Sequence, residues 1–260
     1  MSHRFVCIMG IVACSSLAVR ADAAVVFSDN FDSASEGQQL TSRSPDVGAS
    51  WGLINGTDAN HIIQSAVNNG GKALQQTRGA SGGAAVRGVA DFSTGIATPN
   101  TVVTAKIDLN LAGNGGTASC DFGYQSSHDP YFFVHPDGTY RLTDGNGNFS
   151  NTGLTASTNG WDTLEWVLTY GADSGGQLPG TFSFFITTPS MARTEVASGL
   201  NDGLTDTGSI LRLLPSNQTN NTAIYWDNAA ISIAEIPEPT GFAFLVAAVP
   251  AMIRHRRKLA

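Results

Sequence analysis

The chain has 260 residues, enough for one large β domain, and a hydrophobic fraction of 42% can fill a sizeable core. Only 13% of the residues are charged and 29 are glycine, a composition that disfavours long helices. Residues 24–236 carry eight Lys and Arg against 19 Asp and Glu, a net charge of −11, so we expect no nucleic acid partner.

The first residues have the three parts of a secretory signal peptide. Arg4 supplies the positive charge, residues 5–19 are mostly apolar, and Ala21-Asp22-Ala23 places small residues at the two positions that a signal peptidase reads. We therefore expect residues 1–23 to be a signal peptide that signal peptidase removes between Ala23 and Ala24.

Cysteine usage gives no disulfide to the mature chain. Cys7 and Cys14 lie in the leader, which leaves Cys120 alone in the body, where its strand pattern predicts a small buried residue. The lipobox-like run that ends at Cys14 leaves a lipoprotein signal as an alternative.

Alternation of apolar and polar residues predicts β-strands throughout residues 24–235. The strongest patterns cover residues 103–111, 164–170 and 182–186. Further strands are predicted at 25–27, 61–66, 72–77, 84–92, 118–124, 131–134, 139–142, 193–197, 210–214 and 223–233, with glycine-rich turns between them. The pattern predicts an all-β domain of two packed antiparallel sheets.

Both ends of this domain resemble those of concanavalin A-like, or laminin G-like, jelly rolls. The opening holds Ser28-Asp29-Asn30-Phe31-Asp32, then Gly37 and Trp51, and the closing strand holds Trp226-Asp227-Asn228. The resemblance implies a concanavalin A-like jelly-roll β-sandwich over residues 24–235, but a fold of this kind does not fix a function.

The end of the chain has three parts in a fixed order. Pro237-Glu238-Pro239 comes first, residues 242–253 are apolar, and residues 254–258 are mostly basic. As a helix the apolar run would span about 18 Å, less than the roughly 30 Å hydrocarbon core of a bilayer. The basic cluster would stay on the cytoplasmic side.

This order resembles a PEP-CTERM sorting signal. The resemblance implies that residues 236–260 are a sorting tail, inserted transiently in the membrane and cut by an exosortase near Pro237-Glu238-Pro239. The body would then reach the cell surface or the extracellular polymer of a Gram-negative-type envelope. A retained single-span anchor is the alternative.

Motifs for catalysis are missing from the sequence. The body holds only four glutamates, which lack the paired spacing of jelly-roll glucanases, and no G-x-S-x-G elbow occurs. Glu165 alternates with apolar residues, and we interpret it as a solvated strand residue. We therefore expect the protein not to be an enzyme, with a glycoside hydrolase-like enzyme of unrecognised site as a second alternative.

Metal-binding patterns are incomplete as well. His128, Asp129, His135 and Asp137 lie close in sequence without a metal-ligand spacing, so we expect no metal there. A D-x-N-x-N run at residues 144–148 lacks the acidic residue of a calcium loop. We expect no cofactor, with calcium binding left open.

Aromatic and short polar side chains suggest one candidate for sugar binding. Trp51 and Trp226 could stack on the apolar face of a sugar ring, while Asp227 and Asn228 would bond its hydroxyls. We interpret the protein as a structural or adhesive component outside the cell, and a carbohydrate-binding module for extracellular polysaccharide is the alternative.

The tail interpretation predicts a defined processing defect. Pro237→Ala or Glu238→Ala should block removal of the tail, because the sorting enzyme reads this motif. Intact-mass measurement of the surface-released protein checks this, and a wild-type mass that includes Ala260 would contradict it.

Overall fold

Strands account for nearly all of the regular secondary structure. The computed structural model describes residues 22–53, 58–77, 88–91, 98–111, 118–123, 131–143, 149–174, 180–201, 210–215 and 223–236. Within these ranges two 3-10 helices occur, at Leu40–Ser42 and Asp58–Asn60. The strands are β1 Ala24–Asp29, β2 Trp51–Leu53, β3 His61–Gln64, β4 Ala73–Gln76, β5 Gly88–Asp91, β6 Thr101–Asn110, β7 Ala118–Gly123, β8 Tyr131–Val134, β9 Thr139–Thr143, β10 Phe149–Thr155, β11 Asp162–Tyr170, β12 Gly180–Thr188, β13 Met191–Asn201, β14 Ile210–Pro215 and β15 Ile224–Glu235.

These strands form two sheets. The larger has the order β13-β12-β11-β6-β15-β4-β3, with β1 also paired to β15, and the smaller has the order β10-β9-β8-β7-β14-β5-β2. All strand pairings in the described ranges are antiparallel. The predicted jelly-roll β-sandwich of two antiparallel sheets is confirmed.

One hydrophobic core joins the inner faces of the two sheets. Phe132 of the smaller sheet contacts Trp166 and Phe184 of the larger, with ring centroids 4.9 and 5.3 Å apart. Leu109 and Leu164 of the larger sheet also belong to this core. Because side chains alternate along a strand, the residues next to Leu109 and Leu164 lie on the outer face of the larger sheet.

The opening segment is fixed by a buried carboxylate. Asp29 accepts a hydrogen bond from Trp51 Nε1 at 2.7 Å and pairs with Arg43 Nη2 at 2.6 Å. Burial raises the pKa of Asp29 to about 6, against the lowering effects of Trp51 and Arg43. Trp51 is 3% exposed and packs on Phe27 and Phe31, so its predicted role as a sugar-stacking ring is corrected to that of a core anchor.

The predicted processing segments fall largely outside the described residues. The leader up to residue 21 and the motif Pro237-Glu238-Pro239 are not described, and their removal stays a prediction. Ala24 is the first residue of β1. In the described ranges, no helix is long and apolar enough to cross a membrane.

Because one face of β6 lies in the core, a new charge on that face should destabilise the protein far more than a new charge on the other face. Leu109→Asp should lower the free energy of unfolding by about 4 kcal/mol or more, because Leu109 is 2% exposed and the new carboxylate has no partner there. Thr104→Asp, on the outer face of the same strand, is the matched control and should cost little. Urea unfolding measures both, and equal losses would contradict the assignment of faces.

Candidate functional site

A carboxylate on the outer face of the larger sheet collects three hydrogen bonds. Asp108 Oδ1 accepts from Thr163 Oγ1 at 2.6 Å. Asp108 Oδ2 accepts from Asn69 Nδ2 at 2.8 Å and from Asn228 Nδ2 at 2.9 Å. The donors come from β11, from the loop between β3 and β4, and from β15. We call Asn69, Asp108, Thr163, Asp227 and Asn228 the Asp108 network.

Asp227 is the second carboxylate of this network and lies directly opposite Asp108 in the pairing of β15 with β6. It accepts from the backbone nitrogens of Asn228 at 2.7 Å and Asn69 at 3.3 Å. Burial raises the pKa of Asp227 to about 7, and the charges of Asp108 and Asp32 add to the rise. Such a carboxyl can exchange a proton near neutral pH. With an exposure of 2%, however, it is shielded from a ligand in solution.

A β-bulge in β15 brings Asn228 to the surface. The register with β6 shifts between Asp227 and Ala230, and Asn228 has a φ of 50°. Asparagine tolerates this left-handed conformation better than most residues. Its side chain is exposed. The bulge therefore presents an amide beside the two carboxylates.

The loop at residues 65–72 is held by its own side chains and by the opening segment. Gln64 donates to the carbonyl of Val67 at 2.6 Å and accepts from its nitrogen at 2.9 Å. Asp32 Oδ1 accepts from Lys72 N at 2.7 Å. An added Cβ on Gly71 would lie 1.6 Å from Asp32 Oδ1, so a larger residue here would displace the Asp32 carboxylate from Lys72 N. The loop is thereby anchored at both ends.

Trp161 provides an aromatic surface beside this loop. All four tryptophans lie in the described ranges, and three of them are buried while Trp161 is part-exposed. Its Nε1 donates to the carbonyl oxygen of Asn68 at 3.0 Å. Asn68 precedes Asn69, and both side chains are exposed. An exposed part of an indole ring therefore adjoins a cluster of amides.

The structure corrects the sequence-based choice of sugar-binding residues. Trp226 is 0% exposed and donates through Nε1 to Gln76 Oε1, so it anchors the core. Of the four predicted residues, Asp227 and Asn228 belong to the network, whereas Trp51 and Trp226 do not. The sequence feature that could have identified Trp161 as a surface aromatic is its position, directly after the Asn159-Gly160 turn and directly before β11.

Glu165 is not the solvated residue that its alternation predicts. It is 6% exposed, and Arg193 covers it with two hydrogen bonds, from Nε at 2.7 Å and Nη2 at 3.0 Å. The Arg193 guanidinium lies 3.3 Å from the ring centroid of Phe185, and Lys106 Nζ is 3.7 Å from Glu165. These contacts explain Glu165 as the centre of a surface ion-pair cluster.

The His135 region is a second ion-pair cluster. Asp137 Oδ2 lies 3.0 Å from His135 Nδ1 and 3.1 Å from Arg141 Nη2. Hydrogen bonds from Thr139, with smaller contributions from His135 and Arg141, hold the pKa of Asp137 well below its usual range. His128, Asp129 and the run Asp144–Asn148 lie outside the described residues. Within the described part, no group of three or more His, Cys, Asp or Glu is arranged to hold a metal.

Comparison with known proteins supports the fold. No family model and no curated protein matches the chain. The marine PL-14 alginate lyase from Aplysia kurodai is similar in structure, with a TM-score of 0.52 and 10% identity over 80% of this chain and 99% of that one. A carbohydrate esterase from the Shiga toxin-encoding bacteriophage phi24B has a TM-score of 0.49 and 13% identity. The match covers 81% of this chain and 99% of that one.

This likeness contradicts the prediction that the protein is not an enzyme. The structural match covers 99% of the alginate lyase chain, and that protein is an enzyme. The missing sequence motifs belong to other catalytic classes, so their absence does not exclude catalysis here.

The raised pKa of Asp227 predicts a pH dependence of stability. A carboxyl whose pKa rises to about 7 on folding stabilises the protein below pH 4, and this contribution is lost as the pH rises through 7. In the wild type this effect should lower the free energy of unfolding by roughly 3 kcal/mol between pH 4 and 8. Asp227→Asn should abolish that decrease, because an amide keeps the acceptor without the charge.

Thermal unfolding at several pH values measures this effect. Asp173→Asn, at an exposed carboxylate, is the matched control and should leave the pH dependence of the wild type nearly unchanged. The assignment is contradicted if Asp227→Asn has the same pH dependence as Asp173→Asn.

Proposed function

We propose that this chain is an exported protein that recognises a polysaccharide outside the cell, through Trp161 and the exposed amides of the Asp108 network. The observation that carries the proposal is the part-exposed Trp161, tied to Asn68 beside Asn69 and Asn228. The fold shared with an alginate lyase adds support, since a polysaccharide is the substrate that its name gives.

The chemistry of this surface suits a sugar. An indole offers its apolar face to a sugar ring, and amides donate to and accept from hydroxyl groups. The amides of Asn69 and Asn228 are already oriented by Asp108, so binding would cost little side-chain entropy. The backbone of the loop at residues 65–72 is anchored as well, so ordering it on binding would also cost little entropy.

Charge favours a neutral or hydroxyl-rich polysaccharide over a polyanion. The network contributes two carboxylates and no cation. Lys72, in the adjacent loop, directs Nζ to the carbonyl oxygen of Asp32 at 2.9 Å. Together with the net charge of −11 over residues 24–236, this arrangement repels anionic chains.

Export belongs to the same proposal. The leader at residues 1–23 and the tail at 236–260 would deliver the body to the outer surface, with signal peptidase and an exosortase as transient partners. A surface that recognises polysaccharide would there attach the protein to extracellular polymer, which is an adhesive role.

Removal of the indole tests the site. In residues 24–236, Trp161→Ala should weaken binding to a polysaccharide retained by the wild type at least about tenfold, equivalent to about 1.4 kcal/mol. Trp161→Phe keeps an aromatic face and should retain most of the affinity. Thr169→Ala, at the far end of β11, is the distant control.

A glycan array finds the polysaccharide, and calorimetry measures the affinities. Release of reducing or unsaturated ends is followed in the same samples, which shows whether recognition leads to cleavage. Binding that is unchanged in Trp161→Ala, or no binding to any glycan, would overturn the proposal.

A further inference from the structure

The two ends of the β-sandwich lie side by side. Ala24, the first residue of β1, is the direct partner of Ile233 near the end of β15. The chain is still fixed just past β15, where Ile236 N donates to the carbonyl oxygen of Asn100 at 2.8 Å. Whatever precedes residue 24 and follows residue 236 therefore leaves the body from one end of the larger sheet.

Both of these flanking segments contain an apolar run. Residues 5–19 precede β1, and residues 242–253 follow β15 with a basic cluster at 254–258. Only residues 237–241 separate Ile236 from the second run, a reach of at most about 18 Å when extended. Arginine and lysine next to an apolar run are attracted to anionic lipid headgroups.

The Asp108 network lies at the opposite end of the same sheet. Asp227 and Glu235 are eight residues apart along β15, or about 27 Å. Glu235 pairs with Thr101, and Thr101 pairs with Tyr170 at the end of β11. Trp161 precedes the other end of β11.

We infer that a lipid bilayer faces the end of the larger sheet where β1 begins and β15 ends, so that the Trp161 surface points away from the membrane. The orientation applies while either apolar run is still attached, because Ala24 and Ile236 both lie at this end of the sheet. The membrane-facing part rests on the two apolar runs, which also underlie the proposed export, and the role of the outward surface rests on the proposed recognition of polysaccharide.

Two positions at opposite ends of β12 can report how the β-sandwich is oriented on the membrane. Thr181 lies at the membrane-facing end, since its neighbour Gly180 pairs with Tyr170, and Ser190 lies just beyond the other end of β12. Both side chains are exposed. The strand between Thr181 and Thr188 is about 23 Å long.

The experiment uses the full chain with Cys7 and Cys14 replaced by Ser and Cys120 by Ala, and a fluorophore on Thr181→Cys or on Ser190→Cys. The protein is bound to vesicles of phosphatidylethanolamine and phosphatidylglycerol that carry a nitroxide headgroup lipid. Circular dichroism first establishes that both labelled proteins melt like the wild type.

We expect the nitroxide to quench the probe at Thr181→Cys strongly and the probe at Ser190→Cys little. Equal quenching, stronger quenching at Ser190→Cys, or failure of the full chain to float with the vesicles would overturn the inference. Polysaccharide affinity of residues 24–236 is measured without lipid, so a failure of the proposed function is recognised separately.

Discussion

The outer surface of the larger sheet depends on one buried carboxylate, because Asp108 accepts hydrogen bonds from three separate parts of the chain. A buried charge without such donors would be strongly destabilising, and each bond to a charged acceptor contributes roughly 1.5–3 kcal/mol. Its neighbour Asp227 adds a second acidic group, and the pKa of about 7 means that the two carboxyls need not both be charged at neutral pH. Loop, bulge and strand are thereby held in one arrangement, with Trp161 bound to the same loop.

Much of the architecture could be predicted from alternation along the strands, but burial on the outer face could not. Thirteen strands were expected, and the two that were missed, β2 and β10, are short or interrupted by a register shift. Alternation also places Asp108 and Glu165 outside correctly. It does not reveal that the β3–β4 loop caps the first and Arg193 the second, because these contacts join residues distant in sequence. Trp226 was mistaken for a surface ring for a related reason, since an aromatic-Asp-Asn step does not show which face is covered.

The likeness to an alginate lyase shows the fold, and this fold does not fix a function. A jelly roll can carry a lyase site, a binding surface or both, and here the described outer face offers amides and an indole. The two carboxylates shape this surface from below, since Asp108 is 8% exposed and Asp227 2%. Within the described residues, β1 begins and β15 ends at the end of the larger sheet opposite to Trp161.

The location of the polysaccharide surface can be measured directly by hydrogen–deuterium exchange of the wild-type body, with and without the bound polysaccharide. We expect binding to slow exchange at residues 65–72, around Trp161, and at the Asp227–Asn228 bulge. We expect no change at the opposite end of the sheet, around Thr101, Tyr170 and Glu235. Slower exchange confined to the smaller sheet or to that opposite end would contradict the account.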